Sequence, residues 1–403
     1  MIGDVALVCA VAGLCTCTVY LGLVIIAALR FRSSNRETGR PKREGVPLPP
    51  VTILKPVHGL EPLLEQSLES FFCQDYPHFE LIFGARSEDD PALAVVHALS
   101  RKYPQVRAEI VLSGEPSYPN AKVFLLEKML AAASYSTLVI ADSDVRVNSN
   151  YLEEVVYPLL DPEVGMVTCL YRGVPTGGLW SRLEALGMSV EMSSGVLVAN
   201  LLEGMKFALG PTMATRKEVV ERLGGFGVLR DYLADDFVLG SLTADSGKKV
   251  VLSHHVIDHV VLNCAAGESF LHQVRWMKSS RFSRPLGHLG TGLTFAMPFG
   301  LLGLAAGWLR GDWKLGLGLL GLAIANRMLQ ALAVGWGIVR DRRSLTWCWL
   351  YPVRDLLGFF LWCASYFGRE IVWRGERYRL ANGGRMVRKA IPPQEATTRD
   401  SVV

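Results

Sequence analysis

The stretch VIADSDVRV, Val139 to Val147, ends an aliphatic run in two aspartates, Asp142 and Asp144, separated by one serine. Carboxylates at the end of a buried strand destabilise a fold by on the order of several kcal/mol unless they are paired or bound to a cation. Two of them on a short turn suit a divalent cation, Mn2+ or Mg2+, which needs few protein carboxylates when a substrate diphosphate supplies further oxygens. The spacing alone is a weak signal: EDD at 88–90 fits it too, and a solvated strand-end loop is the alternative. A second acidic pair, Asp235 and Asp236, lies among apolar residues in YLADDFVLG, at the start of a helical pattern. Acidic residues there stabilise the helix dipole, or serve as a general base whose pKa burial has tuned. The third element is HQVRW, His272 to Trp276, where Arg275 can hold a diphosphate by its guanidinium fork and Trp276 can wall off a ligand. As a lone pair, Arg-Trp on an amphipathic helix also reads as a membrane-interface anchor.

The elements that must position these residues alternate. VTILKP (51–56), FELIFGAR (79–86), AEIVLS (108–113) and STLVIAD (136–142) read as strands; 62–72, 91–103 and 120–133 between them have helical spacing. Asn150 with Glu153, and Thr215 with Glu218, have the spacing of capping boxes. The pattern predicts an α/β domain with a mostly parallel sheet covered on both faces, whose ligands bind beyond the carboxyl ends of the strands. Asp142 and Asp144 stand at such an end.

Half of the residues are apolar, and the excess is concentrated near the ends. Val5 to Leu29 is an uncharged run longer than the ~20 residues that cross a bilayer. Arg30, Arg32, Arg36, Arg40, Lys42 and Arg43 follow it, which puts everything after Arg30 in the cytoplasm by the positive-inside rule. The chain therefore reads as a transmembrane helix at 5–29, a basic linker at 30–50, a cytosolic catalytic domain at 51–265, an amphipathic interface helix at 266–285, C-terminal membrane segments at 286–367, and a basic tail at 368–403. Three apolar stretches, near 286–309, 315–339 and 345–367, would leave that tail outside if all crossed. Its Arg369, Arg374, Arg377, Arg379, Arg385, Arg388 and Lys389 favour the cytoplasm. The stretch at 345–367, with Pro352, Arg354 and Asp355 in mid-segment, is the one expected not to cross; a tilted crossing helix paired to Arg327 is the alternative. A net charge of +4 leaves no nucleic-acid footprint, and eight cysteines without a C-x-x-C pair suit a reduced compartment.

Together, the acidic pairs and HQVRW resemble the D, D-x-D, D, Q/R-x-x-R-W pattern of inverting family 2-like glycosyltransferases with a GT-A fold. ILKPVHG, QDYP, NAK, GLWSRLEAL, GPTMATRKEV and LADDF resemble the ceramide glucosyltransferase branch over roughly residues 45 to 380, closest to its bacterial hopanoid-biosynthesis side. That resemblance implies Asp90 as a uridine contact, Asn120 and Lys122 as nucleotide or phosphate contacts (a solvated helix start being the alternative for these two), and Asp142 with Asp144 as holders of metal and diphosphate. It implies Asp236 as the base, and Arg275 and Trp276 as the groups that close over diphosphate and acceptor, with Asp235 and His272 at that closing region. His272 departs from the Gln or Arg of the general pattern.

The expected function is transfer of one sugar, N-acetylglucosamine or glucose, from a UDP-sugar to a hydroxyl of a membrane lipid. Bacteriohopanetetrol is the favoured acceptor and ceramide the alternative. A processive polysaccharide synthase would share these carboxylates but needs a larger transmembrane bundle. A non-catalytic membrane scaffold would be expected to have lost an acidic residue, and none is missing.

Overall fold

The computed structural model describes residues 1–37, 47–373 and 376–388, with backbone alone for 35–37. The side chain of Arg36, the linker residues Arg40, Lys42 and Arg43, Arg374, and the tail from Lys389 onward lie outside the described residues. The strands β1 (Val51–Pro56), β2 (Phe79–Ala85), β3 (Arg107–Leu112), β4 (Thr137–Ala141), β5 (Val145–Arg146), β6 (Val164–Pro175), β7 (Thr212–Arg216) and β8 (Lys249–Val261) form one sheet in the order β3-β2-β1-β4-β7-β6-β8-β5. The pairs β1–β2, β1–β4, β2–β3 and β6–β8 are parallel. Strand β7 runs antiparallel to both its neighbours, so β4 and β6 point the same way. The expected α/β architecture with a mostly parallel sheet is therefore present, and β1 to β4, β6 and β8 all end at one edge. At the Cys169/Leu170 register shift the β6–β8 ladder bends, and beyond it His259 pairs with Val145 of β5.

Alternation along the central strands divides the core in two. Leu54, Ile82 and Ile140 face one cluster with Val123 and Leu126 of the helix Ala121–Ala132. Ile53, Leu81 and Val139 face the other, with Leu68 and Phe71 of the helix Leu64–Phe72. Neither expected capping box forms. The Asn150 side chain makes no cap bond, and Thr215 lies inside β7, where its hydroxyl donates to the Gly165 carbonyl at 2.7 Å. The sheet's demand for a buried hydroxyl at that position outweighed the local S/T-x-x-E pattern.

The first helix runs Ile2–Glu37, so residues 30–37 of the expected linker are helical. Its residues Val24, Ala27, Ala28 and Phe31, at helical spacing, join the catalytic core with Val196 to Val198. Nearer its start, Gly13 lies under the Phe299 ring, where a Cβ would come within 2.2 Å. Among the described residues, three helices are long and apolar enough to cross a membrane: Ile2–Ser34, Leu179–Glu203 and Trp313–Trp336. The second was read from the sequence as part of the catalytic domain.

Met297–Leu309 and Trp313–Gln330 form a hairpin whose turn residue Arg310 pairs with Asp4. The helix Tyr351–Ser365 has 15 residues, about 22 Å against a hydrocarbon core of about 30 Å. Pro352 is in its first turn rather than mid-segment, where its missing N–H leaves no carbonyl unpaired. Asp355 lies 3.0 Å from Arg327 and accepts from the amides of Ala296 and Met297, and Arg354 pairs with Glu191 at 3.0 Å. Past it, β9 (Glu370–Trp373), β10 (Glu376–Leu380) and β11 (Met386–Arg388) make a small antiparallel sheet.

Candidate active site

The carboxyl edge of the sheet carries three loops that meet. After β4, Asp142 and Asp144 form the D-x-D turn, half-buried, with the Asp142 amide donating to Pro211 and the Asp144 carbonyl accepting from Val260. After β2, Asp90 accepts from the amides of Gly59 (2.8 Å) and Ala92 (3.0 Å) and lies 3.1 Å from His58 Nδ1. The loop after β1 joins the other two: Gly59 holds Asp90, and Glu61 accepts from the Ser143 hydroxyl at 2.7 Å.

Lys122, in the first turn of the helix Ala121–Ala132, is the hub of the charged groups. Its Nζ is 2.6 Å from Asp142 Oδ1 and 4.0 Å from Asp235 Oδ2. Desolvation lowers its pKa, but Asp142, Asp235 and Asp236 outweigh it and the net shift is upward. Asn120 is fully buried, and its amide is spent inside the protein. Its Oδ1 caps the helix at Val123 N (3.1 Å), while Nδ2 donates to the Tyr232 carbonyl (2.8 Å) and reaches Asp235 Oδ1 (3.5 Å). That answers the solvated-helix-start alternative against it, and makes Asn120 a strut for the acidic loop.

Asp235 and Asp236 open the helix Asp235–Asp245, as the sequence pattern suggested. Burial raises Asp235 against the opposing pull of Lys122. Burial, followed by the charge of Asp235, pushes Asp236 up to about 6. Gly210 abuts that carboxylate: a Cβ there would come within 2.9 Å of Asp236 Oδ2. Burial raises the pKa of the Tyr171 hydroxyl on β6, and the charges of Asp236, Asp144 and Asp142 raise it further. Its ring is 5.3 Å from that of His259, whose Nε2 is 3.5 Å from Asp144 Oδ2.

The other oxygen, Asp144 Oδ1, is buried and receives no donor among the described residues. An orphaned carboxylate oxygen beside a second carboxylate fits a divalent cation that takes the rest of its oxygen shell from a diphosphate. No group of three or more His, Cys, Asp or Glu gathers into a cage of its own among the described residues.

The helix Ala266–Ser283 brings the third element from beyond the end of β8. Trp276 packs with Tyr171 on the cluster of Ala185, Met188 and Val261. Arg275 is half-buried beside it. His272 turns elsewhere: its Nδ1 is 3.0 Å from Glu184 Oε1, and its ring 4.4 Å from that of Trp276. It is thus anchored to the apolar helix Leu179–Leu186 through that buried carboxylate.

Sequence reasoning missed four residues here. Lys55, fully buried in β1, donates to the Asp142 carbonyl at 2.5 Å, and burial pulls its pKa down to about 7. A lysine inside VTILKP was the available signal, by the same logic that singled out the aspartates. Glu61, Tyr171 and Glu184 had none.

The chain is 26% identical over 358 residues to ceramide glucosyltransferase 1 of Caenorhabditis elegans, covering 84% of this chain and 73% of that protein. It is 45% identical over 123 residues to the ceramide glucosyltransferase of Komagataella phaffii, covering 28% and 24%. Among solved structures, a mannosyltransferase from Pyrobaculum calidifontis in complex with GDP-Man and Mn2+ aligns with a TM-score of 0.46 and 20% identity, over 87% of this chain and 99% of that one. Residues 8–386 match Glycosyl transferase family 21, and this chain, a glycosyltransferase, belongs to that family.

Proposed function

We propose that this protein is an inverting, UDP-sugar-dependent transferase that moves a single sugar to a hydroxyl of a membrane lipid. One observation carries the reading: Lys122 bridges the two acidic pairs, 2.6 Å from Asp142 and 4.0 Å from Asp235, next to which Asp236 is held near pKa 6. Such a site needs a base on one side of the anomeric carbon and an anion-holding device on the other. Asp236 takes the proton of the lipid hydroxyl as its oxygen attacks that carbon from the face opposite the diphosphate. The anomeric C–O bond breaks, the electron pair leaves with UDP, and the configuration inverts. Lys122 and Arg275 stabilise the charge that collects on the leaving diphosphate. A divalent cation held by Asp142 and Asp144 supplies further neutralisation of that charge when bound. Asp90 contacts the uridine, and Trp276 closes over the acceptor.

The ceramide glucosyltransferases among the relatives support glucose and ceramide as the pair. The resemblance to hopanoid-biosynthesis transferases supports N-acetylglucosamine and bacteriohopanetetrol. The enzyme is a multi-pass membrane protein with its catalytic domain in the cytoplasm, in a bacterial inner membrane. Incubation of the purified protein with radiolabelled UDP-glucose or UDP-N-acetylglucosamine, Mn2+ or Mg2+, and each lipid tests this, with mass spectrometry of the product. One of the four donor–lipid pairs should give a monoglycosylated lipid. No sugar-lipid product from any of them sinks the reading, and a ladder of longer products would favour a polysaccharide synthase.

A further inference from the structure

Between the small C-terminal sheet and the loop before Asp235 lies an open cavity of about 680 Å³, lined by Tyr232, Arg369, Ala381, Asn382, Gly383 and Arg385. Two guanidinium groups thus share it. Among the described residues, that of Arg369 has no hydrogen-bond or ion-pair partner and lies 5.7 Å from the Phe282 ring. Arg385 donates by Nε to the Tyr232 hydroxyl at 3.1 Å, which leaves its terminal nitrogens for other acceptors. The carboxylates nearby are engaged elsewhere: Asp231 pairs with Arg230 at 3.5 Å, Glu376 with Arg388 at 2.7 Å, and Glu370 stands opposite Arg379 in the β9–β10 register. Lys278 and Arg281 add positive charge beside the cavity, and both donate to neutral carbonyls, of Glu370 at 3.0 Å and Ser365 at 2.8 Å. Like charges gathered this way repel one another, and a bound anion relieves them.

What flanks the arginines identifies the anion's source. Phe367, just before Arg369, is 76% exposed, and Leu286, just after Ser283, is 84% exposed. Ser283 abuts the cavity's own turn: a Cβ on Gly384 would come within 2.6 Å of its Oγ. His288 Nε2 is 2.9 Å from Ser365 Oγ, so the helix Pro285–Thr291 and the end of Tyr351–Ser365 stand side by side. Bare leucine and phenylalanine next to arginines suit a bilayer surface, with rings and aliphatics among acyl chains and guanidinium groups at phosphate depth. We propose that this cavity binds the phosphodiester of an anionic membrane phospholipid, which is neither donor nor acceptor, and that the bound headgroup fastens the loop that carries the acidic pair. The link is short. Tyr232 and Arg385 are bridged antiparallel, and Leu233 N donates to the Gly384 carbonyl at 3.2 Å. The Tyr232 carbonyl accepts from Asn120 Nδ2, which also reaches Asp235 Oδ1 at 3.5 Å. A phosphate held by Arg369 and Arg385 ties the start of β9 to the turn before β11, and so steadies the loop bonded to that turn. A zwitterionic headgroup brings an ammonium that the arginines repel.

The test uses the full-length protein. In detergent, native mass spectrometry measures binding of dihexanoylphosphatidylglycerol beside dihexanoylphosphatidylcholine and inorganic phosphate. Wild type should hold the phosphatidylglycerol most tightly. Arg369→Gln and Asn382→Glu, both at exposed positions, should each weaken it about tenfold, the effect of losing a charge-assisted bond. Arg377→Gln removes an exposed charge of β10 outside the cavity and should leave that affinity nearly unchanged. UDP affinity should be the same in all three variants. In phosphatidylcholine nanodiscs, adding phosphatidylglycerol should raise the rate of sugar transfer severalfold in wild type and not in Arg369→Gln. Phosphatidylcholine or inorganic phosphate bound as tightly as phosphatidylglycerol overturns the proposal, as does an equal loss in Arg377→Gln. A fall in UDP affinity in Arg369→Gln also overturns it, since the cavity would then belong to the donor site. Binding that depends on Arg369, with a rate indifferent to phosphatidylglycerol, overturns the coupling to the acidic loop. The binding measurement needs no turnover, so a protein that binds the lipid as expected but transfers no sugar refutes the transferase reading and leaves this site standing.

Discussion

Burial and the neighbouring Asp235 charge lift the Asp236 carboxyl to about 6, so activity and stability should respond to pH in opposite senses. Below that pH Asp236 is protonated and accepts no proton, so kcat/KM should rise with pH through 6 to a plateau. The folded state holds this proton more tightly than the unfolded chain does, so this group's contribution to stability falls as pH rises from about 4 to 6. Asp236→Asn should reduce turnover by ~10²–10⁴ with UDP affinity retained. Near-normal turnover in that variant would remove Asp236 from the base role. Asp144→Ala has a different expected signature: the gain in UDP affinity on adding Mn2+ should be lost, as measured by calorimetric titration with and without the ion. An unchanged gain would sink the ligand assignment. What sequence showed at this scale were carboxylates placed against local expectation, in VIADSDV and LADDF. Lys55 broke the same rule and was passed over because a lone lysine fits no motif. Tyr171, Glu61 and Glu184 acquire their neighbours from strands and helices distant in the chain, and no spacing carries that information.

Among the elements, the helices Trp313–Gln330 and Tyr351–Ser365 are held together by Arg327 and Asp355, each about 2% exposed on the side chain. Removing one partner of a buried pair leaves an uncompensated charge, whereas replacing both with apolar groups does not. Arg327→Met should therefore destabilise the protein by ~3–5 kcal/mol, and Arg327→Met combined with Asp355→Leu should recover most of it. Thermal unfolding in detergent, followed by tryptophan fluorescence, reads the difference; a double variant no better than the single would refute the pairing as a prop. The alternation of strands and helices up to β4 was legible because each is built from local periodicity. The helix Leu179–Glu203 was not, because its polar residues Glu184, Ser189, Ser193 and Ser194 are buried against other parts of the protein. The small C-terminal sheet escaped notice too, since its arginines read as a charged tail.

For the molecule as a whole, that sheet bears on the conflict between the three apolar stretches and the basic tail. Leu233 N donates to the Gly384 carbonyl and Met386 N to the Asp231 carbonyl, at 3.2 and 2.6 Å, so β11 is bonded to the loop leading into Asp235. Strands β9 to β11 and the catalytic domain are then expected on one side of the membrane, with an even number of crossings between them. Met297–Leu309 has 13 residues and Tyr351–Ser365 has 15, so length does not decide between them; we propose that the hairpin around Arg310 crosses twice and that Tyr351–Ser365 does not cross, although Asp355 makes the Arg327 pair expected of a crossing helix. Asp4 pairs with Arg310, so Asp4 and that hairpin turn are expected on the same side, opposite the catalytic domain. In sealed inverted vesicles with a cysteine-free background, Arg379→Cys and Glu115→Cys should both react with an impermeant maleimide while Lys314→Cys stays protected. If positions 379 and 115 sort to different sides, the even count is wrong.

The hydrogen bonds from Gly384 and Met386 to the loop at 231–233 also impose an order on manufacture. A ribosome making this chain releases the D-x-D turn, the acidic pair and HQVRW well before the residues that brace them. The hairpin around Arg310 is made in between. The loop carrying Asp235 and Asp236 gains its last support only when synthesis has run to about Arg388. A polypeptide interrupted after Ser365 therefore lacks the bonds that fasten the loop at 231–233, which leads into Asp235 and Asp236.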